Sequence, residues 1–153
     1  MTTTFSTPAP VSSPRHVETV ADTSDAGRLL LRVALGVLIL LHGIAKLQAG
    51  PDYMIGTVTK AGLPAAFAYL VYVGEVLAPV LLIAGLWTRA AAAVVAINMV
   101  VAVVLVHMSQ LFTLTKSGGW ALELQAMYLF GAIAVVLLGA GRYSVGGVNG
   151  KWN

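Results

Sequence analysis

The chain has 153 residues, 58% of them hydrophobic and only 10% charged, with a mean hydropathy of +0.87, a balance that excludes an ordinary soluble domain. Cysteine is absent, which excludes disulfides, thiol catalysis and any iron–sulfur cluster held by this chain's own thiolates. The formal charge of +3 and a pI near 9.5 do not point to nucleic acid, because the basic residues sit singly at the ends of apolar tracts and form no basic stripe.

Residues 1–24 are rich in Thr, Ser and Pro and contain no apolar core of the kind a secretory signal needs. They read as a disordered tail ahead of a first helix that is not cleaved. Four apolar tracts follow, predicting spans at about 28–48, 66–87, 90–112 and 121–141 inside a transmembrane domain of 25–146, each near the roughly 20 residues that cross a bilayer. Residues 147–153 are a C-terminal tail. In the first tract Arg28 and Arg32 are expected to snorkel to the headgroups. The stretch "QAGPDYMIGTVTKAGLP" after Leu47 predicts a short surface or re-entrant helix, with Tyr53, Met54, Ile55 and Val58 in the interface. Only Thr88 and Arg89 separate the second and third tracts, so those helices form a tight antiparallel hairpin, and "TLTKSGGW" makes another short turn before the fourth. The Ala run at 90–93 is packing surface, and Trp87, Trp120 and Tyr143 fall at tract ends, where amphipathic aromatics prefer the headgroup level.

The fold class that results is all-α: an integral membrane four-helix bundle running up-down-up-down. Arg15, Arg28, Arg32, Arg89, Arg142 and Lys151 lie at one side and Lys46, Lys60 and Lys116 at the other. The positive-inside rule therefore puts both termini in the cytoplasm.

With that topology the intramembrane polar groups acquire depths. At 1.5 Å rise per residue, His42 and His107 lie roughly 8 Å inside the outer boundary, Glu123 roughly 3 Å and Glu75 roughly 15 Å, with Lys46 at the boundary itself. These five groups are expected to converge in the outer half. Charges at such depth are costly and usually face the bundle with a role. Glu75 leads: Gly74 admits a neighbouring helix, and Pro79 cannot supply the hydrogen bond that the Glu75 carbonyl would normally receive. Its alternative is a structural ion pair, since Lys46 needs a carboxylate, Glu75 or Glu123. His42 shares a helix face with Lys46; like His107 it is either a site residue or a packed histidine. Glu123 is either a site member or a helix-start carboxylate favoured by the dipole. Tyr72, one turn before Glu75, is either core or a hydrogen-bond donor to a ligand. Asn98, nine residues from His107 and so about 180° away on an ideal helix, is read as a helix-packing or oligomer contact.

Taken in order, "HGIAK", "GE" at 74–75, "GLWTRAAA" at 85–92, "GGWALEL" at 118–124 and "GAGRYSVGG" near the end resemble the DoxX-like bacterial membrane proteins. The resemblance spans about residues 28 to 146. It implies a multi-pass protein of the bacterial cytoplasmic membrane associated with quinone-linked redox systems, including subunits of terminal oxidases and of thiosulfate:quinone oxidoreduction. Three functional readings result. In the first the chain is a membrane subunit that binds a quinone through Glu75, His42, Lys46 and His107, with electrons supplied by a redox enzyme partner, because no flavin motif or thiolate cluster is present. In the second His42 and His107 ligate haem or a metal, although two scattered histidines lack ligand spacing. In the third the chain is a scaffold or a small-solute carrier; the aliphatic inner halves argue against a continuous pore.

Overall fold

A computed structural model describes the backbone of residues 15–153 and side chains from residue 22 onward. Helix α1 spans Arg15–Ala49 and α2 spans Asp52–Lys60. The long helices α3, Ala65–Ala84, and α4, Thr88–Gln110, follow, and α5 covers Glu123–Leu138. Among the described residues the only β pairing is an isolated bridge, Leu114 with Trp120, in the α4–α5 turn. Asp22–Ala49, α3 and α4 are each long and apolar enough to cross a membrane; α5 is shorter, with 16 residues, or about 24 Å of rise. The protein is a helical multi-pass membrane protein.

The expected tail at 1–24 falls outside the described residues up to residue 14, while residues 15–24 continue α1 as helix. Ion pairs accompany this extension. Arg142 reaches Asp22 at 2.8 Å and Asp25 at 3.8 Å, and Arg28 lies 3.4 Å from Asp25.

Contacts at the ends fix the winding. Arg32, near the start of α1, donates to the carbonyls of Leu82 and Ile83 at the end of α3 and of Tyr143 beyond α5. At the other end Lys46 meets α3 and His107 meets α5. The helices therefore alternate in direction, and Arg28, Arg32, Arg89 and Arg142 share one end, as the charge pattern requires. Arg32 does not snorkel. It is 2% exposed, because the last carbonyls of a helix lack intrahelical donors and carry the negative end of the dipole, which makes a better partner than a distant headgroup.

Leu35 and Ile39 of α1, Leu82 of α3, Val95 of α4 and Val135 of α5 form the central core, closed by Ala91, Ala92 and Ala132 where α4 and α5 approach. A second, smaller cluster joins Met54 and Val58 of α2 to Ala68 of α3. The expected short helix after the first span is thus present, and its apolar side rests on α3.

Both α3 and α4 are irregular at the same end. α3 begins with a tight 3₁₀ segment, Ala65–Tyr69, and widens into a π turn at Val73–Leu77, where the Ala78 N–H donates to the Val73 carbonyl. Pro79 follows at once. Its ring would strike the carbonyl four residues back and it has no N–H to give, so the chain relieves the conflict by inserting a wider turn. α4 has a π turn of its own at Val103–His107.

Candidate functional site

The π turn of α3 carries Glu75 into the bundle, where it is 3% exposed. Two glycines on separate contacts make room for it. A Cβ at Gly43 of α1 would collide with the Glu75 backbone carbonyl, and a Cβ at Gly74 would collide with the side chain of Asn98 on α4. Close approach on both sides brings two donors to one oxygen: Lys46 Nζ donates to Glu75 Oε1 at 2.5 Å and Asn98 Nδ2 donates to the same atom at 3.2 Å. Three helices are tied at one carboxylate. The second oxygen, Oε2, is buried and receives no hydrogen bond.

The triad forms the polar wall of a cavity of about 490 Å³, within the range of small-molecule sites. The remaining wall is almost wholly apolar. Met54 and Val58 come from α2, Phe67 and Val73 from α3, and Ile97 and Val101 from α4. Phe67, Ile97 and Val101 are also exposed on the outer surface of the bundle, which for a membrane-spanning segment means the hydrocarbon. The cavity is therefore a groove that opens sideways towards lipid, with one charged pair and one amide at its inner face. Lys46 is the more exposed partner of that pair, its side chain 38% exposed against 4% for Glu75.

The structure brings Lys46 and Glu75 together; the other expected members lie elsewhere. His42 is exposed and turns to α5, its Nε2 3.3 Å from the Tyr128 hydroxyl and its ring edge-to-face with that ring. His107 lies between Gln110, 3.1 Å from Nδ1, and Gln125, 3.3 Å from Nε2. The two histidines thus have separate partners, not a common ligand position, and among the described residues no group of three metal-ligating side chains forms. Glu123 is exposed and accepts the Trp120 N–H at 2.9 Å, satisfying a free donor at the start of α5. Tyr72 packs against the α2 cluster and directs its hydroxyl to the Lys46 carbonyl at 3.5 Å.

Asn98 makes a helix-packing contact, one of the two roles expected of it, and makes it to the site carboxylate. It faces inward to Glu75 while His107 turns away. Asn98 meets α3 and His107 meets α5, with the π turn at Val103–His107 between them, and Gly74 leaves the space that admits the amide. The pattern GlyGlu on one span and a lone Asn on the next was the available signal. Gly43 was visible in "HGIAK" only as a neighbour of the histidine.

The family model for DoxX matches residues 27–108, from the start of the first span to the end of the third. A Bacillus subtilis (strain 168) protein named "Putative oxidoreductase CatD" is 30% identical over 105 residues, covering 69% of this chain and 78% of its own. No solved structure gives a significant match. All of the groove's polar residues fall within the matched segment.

Proposed function

The chain belongs to the DoxX family, and from that premise we propose that it is a membrane subunit of a quinone-linked oxidoreductase system whose quinone head group enters the groove beside Glu75. The observation that carries this reading is the pairing of a lipid-open apolar cavity with a buried carboxylate that has one oxygen unserved. A quinone is an apolar ring and tail with two polar atoms, and a site for it needs mostly apolar wall and a few placed polar groups. The oxidoreductase named among the relatives points the same way.

The residues present suit the head group. Lys46 spends one of its three N–H donors on Glu75 and has others for a quinone oxygen. Glu75 is the one carboxylate on the groove wall, able to take up or release a proton as the ring changes redox state. Quinone reduction consumes two electrons and two protons; the chain has no thiolate to pass electrons, so a partner enzyme supplies them. On this reading both termini and the Arg32 end lie in the bacterial cytoplasm and the groove in the outer half of the membrane, the orientation that the charge pattern favours.

The test is retention of a radiolabelled long-chain quinone by the full chain in quinone-free nanodiscs. Saturable retention that falls at least tenfold in Lys46→Met supports the reading. Retention no greater than that of empty discs overturns it. A scaffold role is favoured by the same triad, since it ties three helices; a chain that binds no quinone yet keeps its partner enzyme active at the membrane after Glu75→Gln fits the scaffold instead.

A further inference from the structure

The carboxylate of Glu75 is served unevenly. An ionised carboxylate offers about four lone-pair sites and no donor. Both of its donors, from Lys46 and Asn98, converge on Oε1, whereas Oε2 is buried with none. Among the described residues no donor reaches it: of the groove's hydroxyls, Thr57 donates to the Tyr53 carbonyl and Tyr53 is exposed on α2. Tyr72, one turn earlier, spends its hydroxyl on the Lys46 carbonyl, and Val73, Gly74, Val94 and Ile97, which share the groove with Glu75, have no polar side-chain atom. The terminal torsion of a glutamate is soft and roughly two-fold. A turn about that torsion can present the bare oxygen to the groove that Glu75 lines.

A bare buried acceptor recovers free energy from any hydrogen-bond donor brought to it and none from another acceptor. We propose that the groove selects its ligand in the hydroxylated, reduced form: an apolar molecule with a phenolic O–H, a quinol in preference to the matching quinone. This deepens, and rests on, the reading of the groove as a quinone site. The quinol hydroxyl donates to Glu75. A quinone carbonyl has no hydrogen to give and meets the carboxylate lone pair to lone pair. Lys46 does not discriminate, because its spare N–H groups serve a carbonyl and a hydroxyl oxygen alike, and the Asn98 donor is already spent on Oε1. Selectivity falls on Glu75 alone. The consequence is thermodynamic. A site that holds the quinol more tightly makes bound quinone the better oxidant for an electron-donating partner, and each tenfold of preference raises the potential of the bound couple by about 30 mV.

The experiment compares three ligands on the full chain in quinone-free nanodiscs under anaerobic conditions: a long-chain quinone, its quinol, and the quinol with both hydroxyls methylated. The quinol is expected to bind at least tenfold more tightly than the quinone, with the ether no tighter than the quinone. Glu75→Gln is expected to remove most of that preference, since an amide accepts more weakly and also donates, while Glu123→Gln leaves all three affinities unchanged. The ether comparison needs no variant, so the outcome does not depend on Glu75→Gln folding. Quinone binding as tight as quinol, or ether as tight as quinol, overturns donor selection and leaves the quinone site standing. Failure of all three ligands to bind overturns both.

Discussion

Arg32 and Glu75 are the two most instructive charges in the bundle, one near the arginine-rich end and one near the middle of α3, 2% and 3% exposed. Arg32 sets both terminal nitrogens on three backbone carbonyls and is packed over by Gly85, where a Cβ would touch the guanidinium carbon at 3.1 Å. Its leftover Nε hydrogen is sealed in protein. Glu75 also has a leftover valence, but it lies on the wall of a cavity and its cation partner is half-exposed. Burial alone therefore does not mark function. A buried charge gripped by the backbone fastens the fold, whereas one held by a part-exposed side chain beside open volume has bonding capacity to offer a ligand.

Replacing the fastener should cost most. Arg32→Met strands three carbonyls and is expected to lose on the order of 4 kcal/mol, read as the largest fall in thermal midpoint of the series in detergent. A midpoint unchanged from the parent would erase the contrast between the two charges. Next comes Lys46→Met, which leaves the carboxylate unpaired. The expected loss is about 3 kcal/mol, because removing one partner of a buried ion pair leaves the other without compensation, and the double variant with Glu75→Gln should regain most of it. If the double variant is no better than the single, the Lys46 side chain contributes by packing and not by charge. Gly43→Ala drives a methyl into the Glu75 carbonyl; because backbone cannot yield cheaply, about 2 kcal/mol is expected, with quinone retention reduced in the surviving folded fraction. Smallest is His107→Ala, whose hydrogen bonds to Gln110 and Gln125 lie outside the groove. It should cost under about 1 kcal/mol and leave retention unchanged, and a tenfold loss of retention there would extend the site to α5.

Four apolar helices, their alternation and the need of Lys46 for a carboxylate were legible because bilayer length, loop length and the cost of an unpaired charge constrain them directly, although the choice of Glu75 over Glu123 was not. Pro79 was a clear sign of distortion at Glu75, although not of the π turn that resolves it. What stayed hidden depends on helix rotation. A phase count separated Asn98 from His107, and the two do meet different helices, but it could not say which faced Glu75; the space at Gly74 decides that. Helical phase likewise grouped His42 with Lys46, yet the 40° between positions i and i+4 is enough for one to meet Tyr128 on α5 and the other Glu75 on α3. Arg32 deceived for the converse reason. Its sequence neighbours are those of a snorkelling residue, and its true partners are carbonyls some fifty and more than a hundred residues away.

The central claim, that the groove at Glu75 and not the Arg32 end receives the ligand, is tested most directly by photo-crosslinking a long-chain azido-quinone to the chain in nanodiscs and locating the adducts by mass spectrometry. Adducts are expected on α2, on α3 near Val73 and on α4 near Ile97 and Val101, all suppressed by excess unlabelled quinol. Adducts clustered at the Arg32 end, or spread along the lipid-facing surface of α5 and insensitive to competitor, would contradict it.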